Sequence, residues 1–138
     1  MKNILFLCTG NSCRSQMAEG FARKIWGHEF NVYSAGTKKH GMNAKAIKVM
    51  NEANIDMTSH FSKTVDELPN IEFDFVVTVC DSAKENCPFF PAGKVVHVGF
   101  QDPPDLTKDM KDEDEVLKVY RRVRDEIEAF VKDMKAKL

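Results

Sequence analysis

A chain of 138 residues, 43% hydrophobic and 30% charged, can bury about two-thirds of its unfolded surface. One domain over residues 1–138 therefore needs no disulfide or metal staple. With 20 basic and 21 acidic residues the formal net charge is −1, which excludes a global field drawing the chain to nucleic acid or an anionic membrane.

Met1-Lys2-Asn3 runs into an apolar stretch too short for a signal-peptide core or a membrane span, so a cytoplasmic protein is expected. Thiols stay reduced in that compartment, and four cysteines without metal-type spacing point to catalytic or redox work rather than to structural bridges or a metal site.

Ile4-Leu5-Phe6-Leu7 is an apolar run bounded by turn formers and reads as a central strand buried on both faces. Arg14 to Trp26 places Met17, Phe21, Ala22 and Ile25 at helical spacing, with Gly27 as a stop signal. Between them lies Cys8-Thr9-Gly10-Asn11-Ser12-Cys13-Arg14-Ser15, at the strand-to-helix junction where open α/β sheets bind ligands.

Gly10 can adopt positive φ and Asn11 tolerates it, so this loop can curl with its backbone N–H groups inward as an anion nest. The helix N-terminus adds partial positive charge, and Arg14 offers a planar fork for two oxygens of a tetrahedral oxyanion. The same field favours the thiolate of Cys8, to which Ser15 could donate a hydrogen bond. A free cysteine at a strand end can also be a small buried hydrophobe, but burial does not require Gly10, Asn11, Ser12 and Arg14 around it.

Cys8-x5-Arg14-Ser15 after a strand resembles the phosphate-binding loop of the low-molecular-weight protein tyrosine phosphatase superfamily. That resemblance implies a small doubly wound α/β sandwich with a four-stranded parallel sheet in the order 2-1-3-4. It also implies a hydrogen bond between Ser34 and Asn11, although a strand-end serine bonded to its own turn accounts for Ser34 equally well.

Asn31 to Ala35 reads as the second strand, ending at Gly36 and joined to the first by a right-handed crossover. Thr37 to Gly41 is a basic polar loop in which His40 reads as a solvated side chain. Asn43 can cap a helix with Ala46, Ile47, Met50 and Ala53 as its apolar stripe, and a short helix is expected from Thr64 to Leu68 before Pro69.

Phe73 to Val79 is the third strand, with Cys80 at its C-terminal end as Cys8 is on the first, and Lys94 to Val98 is the fourth. Residues 99–105, including Asp102, read as a loop leaving the same edge. Asp112 to Lys137 is a long amphipathic helix, acidic at its start and Lys-rich at its end, as the helix dipole favours.

Cys80 and Cys87, seven apart and separated by polar residues apart from Ala83, would lie on one helix face with a rise of about 10 Å between them. A disulfide needs Cα atoms within about 7 Å, so joining them requires the helix to unwind, which suits a redox switch. Both can also be packing cysteines.

The cysteine loop through Gly20, together with Tyr33-Ser34-Ala35-Gly36, Val79-Cys80, Cys87-Pro88, Gly99-Phe100, Asp102-Pro103 and Arg122-Val123-Arg124-Asp125-Glu126-Ile127, closely resembles the thioredoxin-coupled arsenate reductases. The resemblance implies an oxidoreductase of arsenical detoxification. Arsenate would be held by the loop Thr9 to Ser15 and by Arg14, with phosphate or sulfate as competing oxyanions.

It further implies Cys8 as nucleophile, Asp102 as proton donor, a transient Cys8–Cys80 disulfide, and then a Cys80–Cys87 disulfide reduced by thioredoxin. No bound cofactor is implied, Cys13 has no part in the relay, and a monomer is expected. The alternative is a low-molecular-weight tyrosine phosphatase using Cys8, Arg14 and Asp102 alone, although Pro104-Asp105-Leu106 lacks the aromatics that grip a phosphotyrosine ring. A third possibility is a non-catalytic oxyanion-binding or redox-sensing module.

Some members of the family bind potassium through equivalents of Asn11, Glu19 and a carboxylate that would fall at Lys63. A lysine there would repel the cation and could pair with Glu19 instead.

Overall fold

The computed structural model describes residues 1–81 and 90–138. The elements follow as β1 (Lys2–Cys8), α1 (Arg14–Trp26), β2 (Phe30–Gly36), α2 (Ala44–Glu52), a 3-10 turn (Val65–Glu67), β3 (Phe75–Thr78), β4 (Lys94–His97), α3 (Pro103–Thr107) and α4 (Glu113–Lys137). Among the described residues all strand pairs are parallel and the sheet order is β2-β1-β3-β4, the arrangement that the resemblance implies.

β1 is central because it is apolar on both faces. Ile4 and Phe6 pack with α1, α2 and α4, whereas Leu5 and Leu7 face Ala35, Phe73 and Val76 on the opposite side. Ile4 to Leu7 are wholly buried, which explains a continuous apolar run rather than an alternating one. α4 lays Val116, Tyr120, Val123, Ile127, Phe130, Val131 and Met134 on the core, opening with Glu113, Asp114 and Glu115 and closing with Lys135 and Lys137.

Two expectations require correction. Residues 103–107 are not loop but a helical turn, because Pro103 at its first position has φ already set and lacks an N–H that would otherwise go unbonded there. Gly10 is not among the glycines with positive φ. What lies closest to it is the His40 ring: a Cβ there would come within 2.4 Å of the His40 Nδ1, so the exposed imidazole would have to move.

The helix expected between Cys80 and Cys87, with Cys87 itself, lies outside the described residues. Among the described residues no helix is long and apolar enough to cross a membrane.

Candidate active site

β1 ends at Cys8 and α1 begins at Arg14, so the intervening loop is gripped at both ends by buried elements. Its carbonyls are all engaged by surrounding chain. Thr9 O accepts from Lys38 N at 3.0 Å and Thr37 Oγ1 at 3.3 Å, and Gly10 O accepts from His40 N and Ser62 Oγ, each at 3.1 Å. Asn11 O accepts from Gln16 Nε2 at 3.2 Å and Ser12 O from Asn43 N at 3.1 Å.

With no cis peptide among the described residues, a carbonyl held outward turns the N–H of the following residue the other way. The segments 37–43 and 61–63 therefore act as an outer clamp that leaves successive amides to the hollow of the loop, the arrangement of an anion nest. That hollow is a cavity of about 290 Å3 lined by Cys8, Thr9, Gly10, Ser12, Cys13, Arg14, His40, Gly41, Asn43, Asp102 and Pro104.

Asn11 has φ of 48°, a conformation sparsely used by residues other than glycine, and it is pinned there by its side chain. Its amide donates to Ser15 Oγ at 2.8 Å and Ser34 Oγ at 3.0 Å, while its Oδ1 accepts from Gln16 Nε2 and Lys63 N, both at 2.9 Å. Every bonding position of the side chain is used. The hydrogen bond between Ser34 and Asn11 is thus present.

The network reaches the nucleophile. Ser15 Oγ accepts from Asn11 at 2.8 Å and lies 2.9 Å from Cys8 Sγ, a contact in which either the hydroxyl or the thiol can donate.

Arg14 is buried, donates to Phe100 O at 3.1 Å and lies 3.5 Å from Asp102 Oδ1. The cation that would grip an oxyanion and the acid that would protonate a leaving oxygen thus meet at one wall of the cavity. Cys13 also lines it, but burial first, and then the nearby Asp102 charge, push its thiol up, so it stays protonated at neutral pH.

Behind the loop, Glu19 accepts a short hydrogen bond from Ser34 Oγ at 2.5 Å and is paired with Arg23 Nε at 2.8 Å, with Lys63 Nζ and His60 Nδ1 each at 3.7 Å. Lys63 is held by Phe61 O at 3.1 Å and stacks over the Phe61 ring. Burial lowers the pKa of both Lys63 and His60, while Glu19 pulls each back up. The expected Lys63–Glu19 pairing is present.

Cys80 is fully buried just beyond β3, which pairs directly with β1. Leu7 is opposite Thr78, so Cys8 and Cys80 stand at the same edge on the ends of adjacent strands. Cys80 is disulfide-bonded, and Cys8 and Cys13 are free thiols.

Several contributors escaped sequence reasoning. Gln16 is wholly buried yet off the apolar stripe of α1, His60 and Ser62 lie far along the chain with no local motif to mark them, and Asn43 was marked only as a helix cap. His40, expected as a solvated side chain, is exposed but lies against Gly10 at the cavity mouth.

Residues 3–138 match the model of the low molecular weight phosphotyrosine protein phosphatase family. The chain belongs to that family. Within it, the chain is 50% identical over 127 residues to an arsenate reductase of Oceanobacillus iheyensis, covering 91% of this chain and 89% of the relative. It is 49% identical over 132 residues to arsenate reductase 2 of Staphylococcus saprophyticus, covering 95% and 94%.

Among solved structures it is similar to an arsenate reductase in its oxidized state, with a TM-score of 0.79 at 29% identity over 99% of this chain and 98% of the other. It is likewise similar to an arsenate reductase from Archaeoglobus fulgidus, with a TM-score of 0.75 at 30% identity over 96% and 98%. The family match spans the cysteine loop and the strand end that carries Cys80.

Proposed function

We propose that the chain reduces arsenate to arsenite through a three-cysteine relay regenerated by thioredoxin in the cytoplasm. The observation that carries this is Cys80. A phosphatase needs one sulfur at the anion loop, whereas here a second sits at the end of the strand paired to the one ending in Cys8, already engaged in a disulfide. Relatives 44–50% identical that are named arsenate reductases support the same reading.

Arsenate would sit on the amides of residues 9–15 with two oxygens on Arg14. The Cys8 thiolate attacks arsenic, forming an S–As bond, and one oxygen leaves as water after taking a proton from Asp102. Ser15, and Ser34 through Asn11, hold the nucleophile and the loop in place.

Cys80 as thiolate then attacks the Cys8 sulfur. The S–As electron pair goes to arsenic, which leaves as arsenite, reduced by two electrons, and a Cys8–Cys80 disulfide remains. Cys87 attacks Cys80, Cys8 departs as thiolate, and the resulting Cys80–Cys87 disulfide is reduced by the dithiol of thioredoxin. No bound cofactor enters, Cys13 serves the loop and not the relay, and the protein acts as a monomer.

Multiple turnover of arsenate with thioredoxin, its reductase and NADPH tests the proposal. Sustained arsenite production supports it. A Cys80→Ser variant that makes no arsenite but keeps weak hydrolysis of aryl phosphates separates reductase from phosphatase, whereas unchanged arsenite production would overturn the relay. Stoichiometric arsenate binding without turnover would mark a sensor.

A further inference from the structure

Gln16 stands wholly buried in the first turn of α1 and does not itself line the anion cavity. A primary amide carries two donor hydrogens and an acceptor oxygen, so an apolar side chain of similar length would fill that space at lower cost unless all of them are bonded. All of them are.

Gln16 Nε2 donates to Asn11 O at 3.2 Å, to Asn11 Oδ1 at 2.9 Å and to Phe61 O at 2.9 Å. Its Oε1 lies 2.9 Å from His60 Nδ1, and because an amide oxygen can only accept, that imidazole nitrogen donates. Turning the amide over would set its oxygen against three other oxygens, so the arrangement has one direction. A single side chain thus takes hold of both the backbone and the side chain of Asn11, the loop residue with φ of 48°, and ties them to residues 60 and 61. Ser62, next along that segment, holds Gly10 O.

The Asn11 carbonyl belongs to the peptide whose N–H is that of Ser12, and Ser12 lines the cavity. With this carbonyl drawn to Gln16, a trans peptide points the Ser12 N–H to the opposite side. We infer that Gln16 is a positioning residue of the anion site, its amide fixing the Asn11–Ser12 peptide so that the Ser12 N–H meets the bound oxyanion. This rests on the reading of the loop as an oxyanion site but not on the redox steps. Without the Gln16 donor a buried carbonyl loses this partner, and the peptide gains by turning its oxygen toward the cavity, where it repels an anion.

The test uses inorganic phosphate as probe, with affinity read by calorimetry, the Ser12 amide followed by NMR in isotopically labelled protein, and thermal unfolding alongside. In the parent, phosphate should shift the Ser12 amide and the Gln16 side-chain amide together. Gln16→Met keeps the length and removes both donors, and Gln16→Glu sets a carboxylate oxygen against the Asn11 carbonyl. Each should bind phosphate about tenfold more weakly and lose most of the Ser12 shift. A merely structural glutamine would lower the unfolding temperature and leave phosphate affinity and the Ser12 response as they are in the parent.

Phosphate affinity within about twofold of the parent in a folded variant of either kind, or weaker binding with the Ser12 shift unchanged, would overturn the inference. If neither variant folds, the parent decides it: phosphate that protects Cys8 from iodoacetamide without moving the Ser12 amide overturns it. A parent protein that phosphate does not protect overturns both this inference and the anion-site reading. Protection without arsenate turnover overturns only the redox relay.

Discussion

The hydroxyl of Ser15, which accepts from Asn11, lies 2.9 Å from the sulfur of Cys8, within reach to donate its hydrogen when that sulfur is the attacking thiolate. A hydrogen bond to a charged group contributes roughly 1.5–3 kcal/mol. Ser15→Ala should therefore slow both arsenate turnover and alkylation of Cys8 at neutral pH by about tenfold or more. Equal alkylation rates in parent and variant would show that the contact does not favour the thiolate.

Gly36 has no room for a side chain. A Cβ there would come within 2.5 Å of Thr9 O and 2.9 Å of Asn11 N, both backbone atoms of the anion loop that cannot swing aside. Gly36→Ala is expected to cost about 1–3 kcal/mol in urea unfolding and to weaken phosphate binding more than tenfold, since relief must come from displacing the loop. Retained phosphate affinity would contradict the account of the clamp.

Lys63 brings its own cation to the buried Glu19. Turnover should therefore be the same in potassium and sodium salts at equal ionic strength. A severalfold activation by potassium alone would show that the ammonium does not replace a metal ion there.

On the surface, the hydrogen bonds from Arg121, and then those from Arg124, hold the Glu52 carboxyl at about 2, below its usual 4.5. A carboxylate lowered in this way contributes stability above its unfolded pKa, and the contribution fades as pH falls from about 4.5 toward about 2. Much of it is screened because the pair is solvent-accessible. Glu52→Gln should be slightly less stable than the parent at pH 7, with the gap closing by about pH 2; a gap that widens with acid would reverse the sign.

The sheet was legible because its signals are local. A four-residue apolar run between turn formers is too short for a buried helix and so reads as a buried strand, and the α1 and α4 stripes repeat at helical spacing. The loop was legible because Cys8, Asn11, Arg14 and Ser15 are contiguous and chemically specific.

What escaped was held by long-range contacts. Gln16 looks like an ordinary polar helix residue until Phe61 and Asn11 bond it, and the ring packed against Gly10 comes from a histidine thirty residues away. The turn at Pro103 was missed because five residues give little periodicity to read.

The relay is tested most directly by giving a Cys87→Ser variant one equivalent of arsenate and mapping its disulfides by mass spectrometry. The account predicts one arsenite released per chain and a trapped Cys8–Cys80 disulfide. Arsenite release with Cys80 still a free thiol, or a disulfide joining Cys8 to Cys13 instead, would contradict it.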